Sequence, residues 1–462
     1  MSFPPNLRCG PSRPRTDRGS AIITVLILAA VTAVIASGFI FRSAQEAKLA
    51  NRSFYQAVAL NLAEAGIEEG LFALNTTSYT TANGWTVAGD SSTSYVKTIT
   101  DLVLAQGTGT IHVRIDSPLG PNTIVIAAGV ADLPRQPRLL KQLRVSTSQR
   151  RIWANGLVAK GKLTFSGNNV VDAYDSTVGV YNSGTNRSDR ATVATTSTDL
   201  DPITVDSNAS IYGYVATGGD APVVGANGRI YGATTPSGTK IDLTRVRTDF
   251  TTNLPDATAP TGTAVSVAMS GSITLPRVGD TPGANGRYLY TATDMSVAGN
   301  STVSIIGPVD LIVTGGVSIT GNAKISVAGS TATLNIYCPG TINIAGNGME
   351  NSTNKPAAAT IWGTAPSSGA MQSIKIAGNG SFTGTLYAPN ADVALTGNGD
   401  TNGAIVCKTL TAGGNGKFHY DVRLADITSA SLRLSSWCEL TTPATGGGSF
   451  ARDRRSPFNT LF

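Results

Sequence analysis

A six-residue unit, apolar-x-apolar-[Ala/Ser/Thr]-Gly-Asn, returns along this chain and restricts its fold more than any other feature. It reads Leu163-Thr164-Phe165-Ser166-Gly167-Asn168, then Met295-Ser296-Val297-Ala298-Gly299-Asn300 and Val317-Ser318-Ile319-Thr320-Gly321-Asn322. It recurs as Ile342-Asn343-Ile344-Ala345-Gly346-Asn347, Ile374-Lys375-Ile376-Ala377-Gly378-Asn379 and Val393-Ala394-Leu395-Thr396-Gly397-Asn398, with a degenerate seventh copy from Leu410 to Asn415. The later glycines lie 22, 25, 32, 19 and 17 residues apart. Apolar residues at every second position make a strand with one inward face, and Gly-Asn is read as supplying positive-φ residues for a tight turn. One such strand cannot bury its inner face alone, whereas stacked circuits of about 17–25 residues can. The expected fold of residues 151–427 is therefore a parallel β-solenoid. An irregular β-sandwich is the alternative, but its strands would recur every ~8–12 residues without a shared turn signature.

Composition agrees with an exported, turn-rich β protein. Charged residues make up 14%, against a usual ~25%, and glycine is frequent at 51 residues. The net charge of +6 is carried in part by the N-terminal leader and by Arg452, Arg454 and Arg455. No basic stripe with interleaved aromatics is visible, so nucleic acid is not an expected partner.

The N-terminal segment is of a different kind. Ser20 to Phe41 is an apolar run closed by Arg42, and as a helix it would span roughly 33 Å, enough to cross a bilayer's hydrocarbon core. Its membrane residues include Ala21, Ile22, Ile23, Val25, Leu26, Ile27, Leu28, Phe39, Ile40 and Phe41. Arg8, Arg13, Arg15 and Arg18 outweigh Asp17 in the leader, which places the leader in the cytoplasm and the remainder outside. A secretory signal peptide has a shorter apolar core of about 7–15 residues. A plain signal anchor fits the length, and so does a leader cut between Gly19 and Ser20. No proline occurs from Ser43 to Asn75, and Ala63, Ile67, Gly70, Leu71 and Leu74 form one helical stripe. The run thus continues as one helix over 20–75, about 80 Å long.

Basic residues, Gly19-Ser20 and Ala21-Ile22-Ile23-Thr24-Val25-Leu26-Ile27-Leu28 together resemble a class III, prepilin-type leader and its apolar domain. Phe54-Tyr55-Gln56-Ala57 and Ala63-Glu64-Ala65-Gly66-Ile67-Glu68-Glu69 resemble the "AEAG" helix of PilX-type pilus assembly proteins and other minor pilins. The resemblance covers about residues 13–75. It implies cleavage by a prepilin peptidase after Gly19, a mature N-terminus at Ser20, an inner-membrane precursor, and other pilin or pseudopilin subunits as partners. Major pilins carry Glu at the fifth mature position, where this chain has Thr24. Threonine enters lipid more easily but cannot neutralise a neighbour's terminal amine, which points to a minor, priming or tip subunit. Leu386-Tyr387-Ala388-Pro389-Asn390-Ala391-Asp392-Val393, with Gly403-Ala404-Ile405-Val406 and Phe418-His419-Tyr420-Asp421, resembles the C-terminal β-solenoid found behind PilX-like N-termini. That second resemblance covers roughly 295–427 and, more loosely, 151–180.

Five segments are expected: a leader over 1–19, the helix over 20–75, a linker and small sheet over 76–150, the solenoid over 151–427 and a C-terminal tail over 428–462, flexible from Thr441 on. Within the third, 76–107 reads as a linker with room for one short strand. Strands are expected at 110–116, 123–128 and 139–147, the first two antiparallel through the turn 117–122. Residues 181–290 hold fewer repeats and read as widened circuits or an insertion, suited to variable surface contacts.

Of the cysteines, Cys9 lies in the leader, and Cys407–Cys438 is the preferred disulfide among Cys338, Cys407 and Cys438. Three unpaired, buried thiols are the alternative. His112 and His419 are far apart and belong to no recognisable ligand set, so neither metal nor cofactor is expected. His419 beside Asp421 could act as a base, but Phe-His-Tyr-Asp is read rather as a capping turn. The Gly-Asn-Gly steps lack the Lys-Ser/Thr of a phosphate loop and the aspartates of calcium repeats. Asp310, Asp392, Lys324 and Lys375 are isolated, without the paired carboxylates of a glycan-cleaving enzyme. The expected function is a non-catalytic minor or tip component of a type IV pilus-like filament, acting in assembly, adhesion or aggregation, with a host-cell or glycan surface as a further candidate partner. The runner-up is a membrane-anchored β-helix surface protein unrelated to pili, either an adhesin or a glycan-processing enzyme.

Overall fold

The computed structural model describes residues 18–118, 123–149, 151–427, 432–441 and 450–461. The chain is mainly β, with one long N-terminal helix, a six-stranded antiparallel sheet and a large parallel sheet. Two units result: Met1–Arg150 together with Ala430–Phe462, and Arg151–Ser429.

In the first unit, helix α1 spans Arg18–Thr76. Its segment from Ile22 is long and apolar enough to cross a membrane. Side chains from Ile22 to Ala50 are exposed, and burial begins with Tyr55. From there a stripe at four-residue spacing, Tyr55, Ala59, Ala63 and Ile67, continues to Leu74 and lies on the sheet. This is the face read from the periodicity. A methyl added at Gly66 would stand 2.7 Å from Ile111 Cγ2, and one at Gly70 2.5 Å from Val125 Cγ1. The helix backbone therefore rests directly on the strands, which only glycine permits.

The sheet order is β1 (Thr86–Ala88), β2 (Ser91–Val103), β3 (Thr108–Asp116), β4 (Ile124–Asp132), β5 (Leu139–Gln149) and β6 (Leu432–Glu439). β3 and β4 pair antiparallel as expected. Two expectations are corrected. Residues 76–107 are not a linker, because β2 is a 13-residue strand paired along β3. Its Ser and Thr content reads as turn chemistry, yet threonine is β-branched and suits a strand exposed on one face. Nor are the described residues of the tail, 432–441 and 450–461, loose: β6 pairs with β5, and Phe458 is fully buried beside Ile126, Ala128 and Leu440. Buried Arg114 fastens this segment, donating through Nε to Asp116 (2.7 Å) and through Nη1 to Asp90 (2.8 Å) and the Ser456 carbonyl (2.6 Å).

In the second unit every ladder is parallel, and three rows of strands run side by side. Along 265–327 each strand pairs with the third strand after it. The inward ladder of one row is Val265, Tyr290, Leu311, Ile336, Ile361, Leu386, Ile405, Leu157, Val193, Val215 and Val246. Ten steps of ~4.8 Å make about 48 Å. The residue numbers expose the winding. The chain enters mid-stack near Leu157, winds outward to Val246, and crosses back through 248–264. It restarts at Val265 and winds inward until its last circuit lies against its first. The crossing segment is pinned on the way: Phe250 N donates to Thr217 O (2.8 Å), Tyr387 Oη to Pro255 O (2.8 Å), and Asn390 Nδ2 to Asp256 (2.8 Å). Residues 181–290 thus comprise outer circuits, this crossing and the first returning circuit.

The Gly-Asn units form one column of turns in the same order. Gly299, Gly321, Gly346, Gly378, Gly397, Gly414 and Gly167 all have φ between +67° and +109°. From Gly321 on, an added methyl would press on the backbone of the glycine one circuit away. The asparagines do not share the positive φ expected of them. Their amides form a ladder instead: Asn322 to Asn300 (3.1 Å), Asn398 to Asn379 (3.2 Å), Asn415 to Asn398 (3.0 Å), Asn168 to Asn415 (2.7 Å) and Asn208 to Asn168 (3.1 Å). Asn347 joins through the Asn322 carbonyl (3.0 Å). Ser207, at φ +57°, stands in the glycine position of an unrecognised copy.

Candidate functional site

A buried polar cluster of the second unit lies where the last circuit meets the first. Strands Phe418–Asp421 and Val170–Tyr174 pair in parallel with Phe418 and Val171 inward, so His419 and Asp172 stand side by side on the outer face. His419 and Asp172 are both fully buried, with Nδ1 2.5 Å from Asp172 Oδ1. The other Asp172 oxygen accepts from Tyr181 Oη (2.8 Å) and Arg187 Nε (2.7 Å). The Tyr181 ring stacks on the His419 ring at 3.4 Å between centroids. On the far side, His419 Nε2 faces Asp400 Oδ2 at 3.6 Å.

Nδ1 is hydrogen-bonded to Asp172, whereas Nε2 is buried without a hydrogen-bond partner, and Asp400 acts on it through charge at 3.6 Å; two carboxylates beside one imidazole favour the cation. Burial by itself would lower the His419 pKa, but the Asp172 hydrogen bond and the nearby carboxylates of Asp172 and Asp400 outweigh it and hold the value above the usual one. Burial likewise pushes Asp400 up, yet the nearby His419 ring and the Lys417 amide bring it below the ordinary carboxylate value. Asp400, at 43% side-chain exposure, meets solvent, as do Arg187 and in part Tyr181, whereas His419 and Asp172 do not.

Asp421 does not partner His419. Its carboxylate accepts from Ser176 N (3.0 Å) and Arg423 N (3.1 Å), capping the 3₁₀ turn Val422–Asp426. Phe418–Asp421 is therefore a strand paired on both sides and not the turn expected to cap the end of a solenoid; Asp421 caps only the 3₁₀ turn that follows, and His419 serves the cluster. Asp172, Tyr181, Arg187 and Asp400 were not legible as a group. They fall outside the repeat unit, and 247 residues separate His419 from Asp172.

The other candidate residues are dispersed. Gly19 and Ser20 lie within α1, and their side chains, like that of Ala21, fall outside the described residues. Ile22, Ile23, Val25, Leu26, Ile27, Leu28, Phe39, Ile40 and Phe41 are all exposed. The Cys407–Cys438 disulfide is not formed: both thiols are free, as is Cys338. Cys407 is an inward residue of the parallel stack with Sγ 3.7 Å from Val158 O, while Cys438 sits on β6 in the other unit. Burial pushes the Cys338 thiol up to about 11. Asp310 is bound by Arg287 Nε (2.7 Å) and Asn335 Nδ2 (2.7 Å), Lys324 by Glu350 (2.8 Å), and Asp392 accepts from Thr409 Oγ1 (2.5 Å). Among the described residues no group of three or more His, Cys, Asp or Glu is placed to hold a metal ion.

A family model described as "Domain of unknown function (DUF7305)" matches residues 252–427. No curated protein and no solved structure matches the chain. The matched stretch begins in the crossing segment and contains His419 and Asp400, while Asp172, Tyr181 and Arg187 come from outside it.

Proposed function

We propose that this chain is a non-catalytic minor or tip component of a type IV pilus-like filament, displaying a β-solenoid and acting in assembly, adhesion or aggregation. Its precursor sits in the inner membrane with the C-terminus outside the cytoplasm, and prepilin peptidase cuts between Gly19 and Ser20. The observation that carries this reading is the division of α1. The helix is bare and apolar from Ile22 to Phe41, then packed along one face against the antiparallel sheet from Tyr55 to Leu74. A helix of that form can leave lipid only if neighbouring helices cover its bare part, which is what a filament core of helical subunits offers. The solenoid reading is supported by three parallel strand rows with single-sign ladders and by the one column of Gly-Asn turns.

Intact-mass and N-terminal peptide mass spectrometry of the protein from cells with an active prepilin peptidase tests the reading. A mature chain beginning at Ser20 is the expected result. A retained leader in those cells would leave only a membrane-anchored surface protein.

A further inference from the structure

Residues 175–190 leave the strand stack after Val170–Tyr174 and rejoin it at Ala191–Thr195. Inside this loop Asn186 acts as a clasp. Its Nδ2 donates to the carbonyls of Asp175 (3.0 Å), Gly179 (3.1 Å) and Val180 (3.2 Å), and its Oδ1 accepts from Asp175 N (3.1 Å). The clasp holds Tyr181 on His419 and edge-on to Tyr174 at 6.1 Å. Beside the loop opens a cleft of about 190 Å³, with Tyr174, Tyr181, Ser381, Thr383, Asp400 and Asn402 in its wall.

We propose that this cleft binds a neutral sugar ring. Three features select that chemistry. Tyr181, half-buried and held by His419 and by the edge contact with Tyr174, supplies a rigid aromatic group against which the C–H face of a pyranose packs. Asp400 supplies a carboxylate that can accept from two neighbouring hydroxyls at once. Its Oδ1 takes only the Lys417 amide (3.2 Å) and its Oδ2 only the distant His419 nitrogen, so each oxygen keeps a lone pair free for ligand. Asn402, whose amide makes one long bond to Thr383 Oγ1 (3.4 Å), adds a donor and an acceptor.

The support behind Asp400 is the cluster described above. Arg187 and Tyr181 fix Asp172, Asp172 fixes His419 with its Nε2 3.6 Å from Asp400, and the Lys417 amide donates to Asp400 Oδ1, so the carboxylate has a fixed charge behind it and one anchor before a ligand arrives. Asp400 is the one charged residue in the wall of the cleft. An acidic sugar would bring a second carboxylate against it, so the site favours neutral rings over uronates. The proposal gives the adhesive role a ligand class and rests on that reading only for its biological setting.

Saturation-transfer NMR on the full-length, detergent-solubilised chain tests it. The probes are the methyl glycosides of glucose, galactose, mannose and N-acetylglucosamine, with methyl glucuronoside as the acidic counterpart. At least one neutral glycoside is expected to bind and the glucuronoside not. Asp400→Ala or Asn402→Ala should raise Kd at least tenfold with the thermal transition retained, and Asn402→Ala decides if Asp400→Ala does not fold. No binding by any neutral glycoside, equal binding of the glucuronoside, or unchanged affinity in the folded variants would overturn the proposal. The N-terminal mass of the same preparation separates the two readings. Binding by an unprocessed chain removes the filament and keeps the cleft, and a processed chain without binding does the reverse.

Discussion

At Gly346 the backbone sits at φ +68°, and an added methyl would be driven into the Gly321 carbonyl one circuit away. The left-handed conformation alone costs an L-residue roughly 1–2 kcal/mol, and displacing the neighbouring carbonyl adds to it. Asn398 has a smaller role: its amide bridges Asn379 and Asn415 at the exposed edge of the turn, a contribution of about 1 kcal/mol. Urea unfolding followed by circular dichroism should therefore show Gly346→Ala losing about 2 kcal/mol or more and Asn398→Ala about half that. Equal losses would mean that the glycine is not the strained partner of the pair. His419 gives a second residue-scale expectation. Its folded pKa lies above the usual 6.5, so its stabilising effect is complete below about pH 6.5 and disappears as pH rises through the folded value. Stability of the wild-type chain should thus fall from pH 6.5 upward relative to that of His419→Gln. Parallel pH profiles for the two proteins would show that the buried imidazolium contributes nothing.

Among the elements, the helix stripe and the Gly-Asn strands were legible, because both rest on a short period and a large difference in polarity. The sheet edges were not. β2 carries its apolar residues on both faces, Tyr95 beside Val96, so it shows no alternation, and its Ser and Thr suggest turns. β6 was read as tail because nothing local to Leu432–Glu439 reveals that its partner is β5, about 290 residues earlier. The His419 site was hidden for the same reason, since half of it comes from the opening circuit. Where helix and sheet meet, Gly70 offers an element-scale test. Leucine fits the helical stripe by pattern, but its Cβ would stand 2.5 Å from Val125 Cγ1. Gly70→Leu should lift α1 from β4 and destabilise the first unit by about 1–3 kcal/mol, in contrast to the gain expected from helix propensity. A raised midpoint in chemical unfolding would show that the helix has room to spare there.

Taken whole, the chain is one unit interrupted by another: Arg151–Ser429 is inserted between β5 and β6 of the first. This arrangement makes 432–441 and 450–461 a structural part rather than an appendage, and truncation after Ile427 exposes the difference. Without β6, the backbone of β5 becomes an open sheet edge, liable to pair with other chains. Arg114, almost wholly buried, loses the Ser456 carbonyl, and Asp116 loses the Arg455 guanidinium that donates to it at 2.7 Å. Phe458 vanishes from beside Ile126 and Ala128, leaving a cavity in the outer core of the sheet. The parallel stack keeps all of its own ladders, because its last strand, Phe418–Asp421, ends before the cut. Hydrogen exchange on the truncated, detergent-solubilised chain should accordingly show faster exchange in β3, β4 and β5, and unchanged protection in the strands between Leu157 and Asp421. Uniform protection throughout would restore the flexible-tail reading. Loss of protection in both units would mean that the inserted stack relies on its host sheet for stability, beyond the covalent connection the two share.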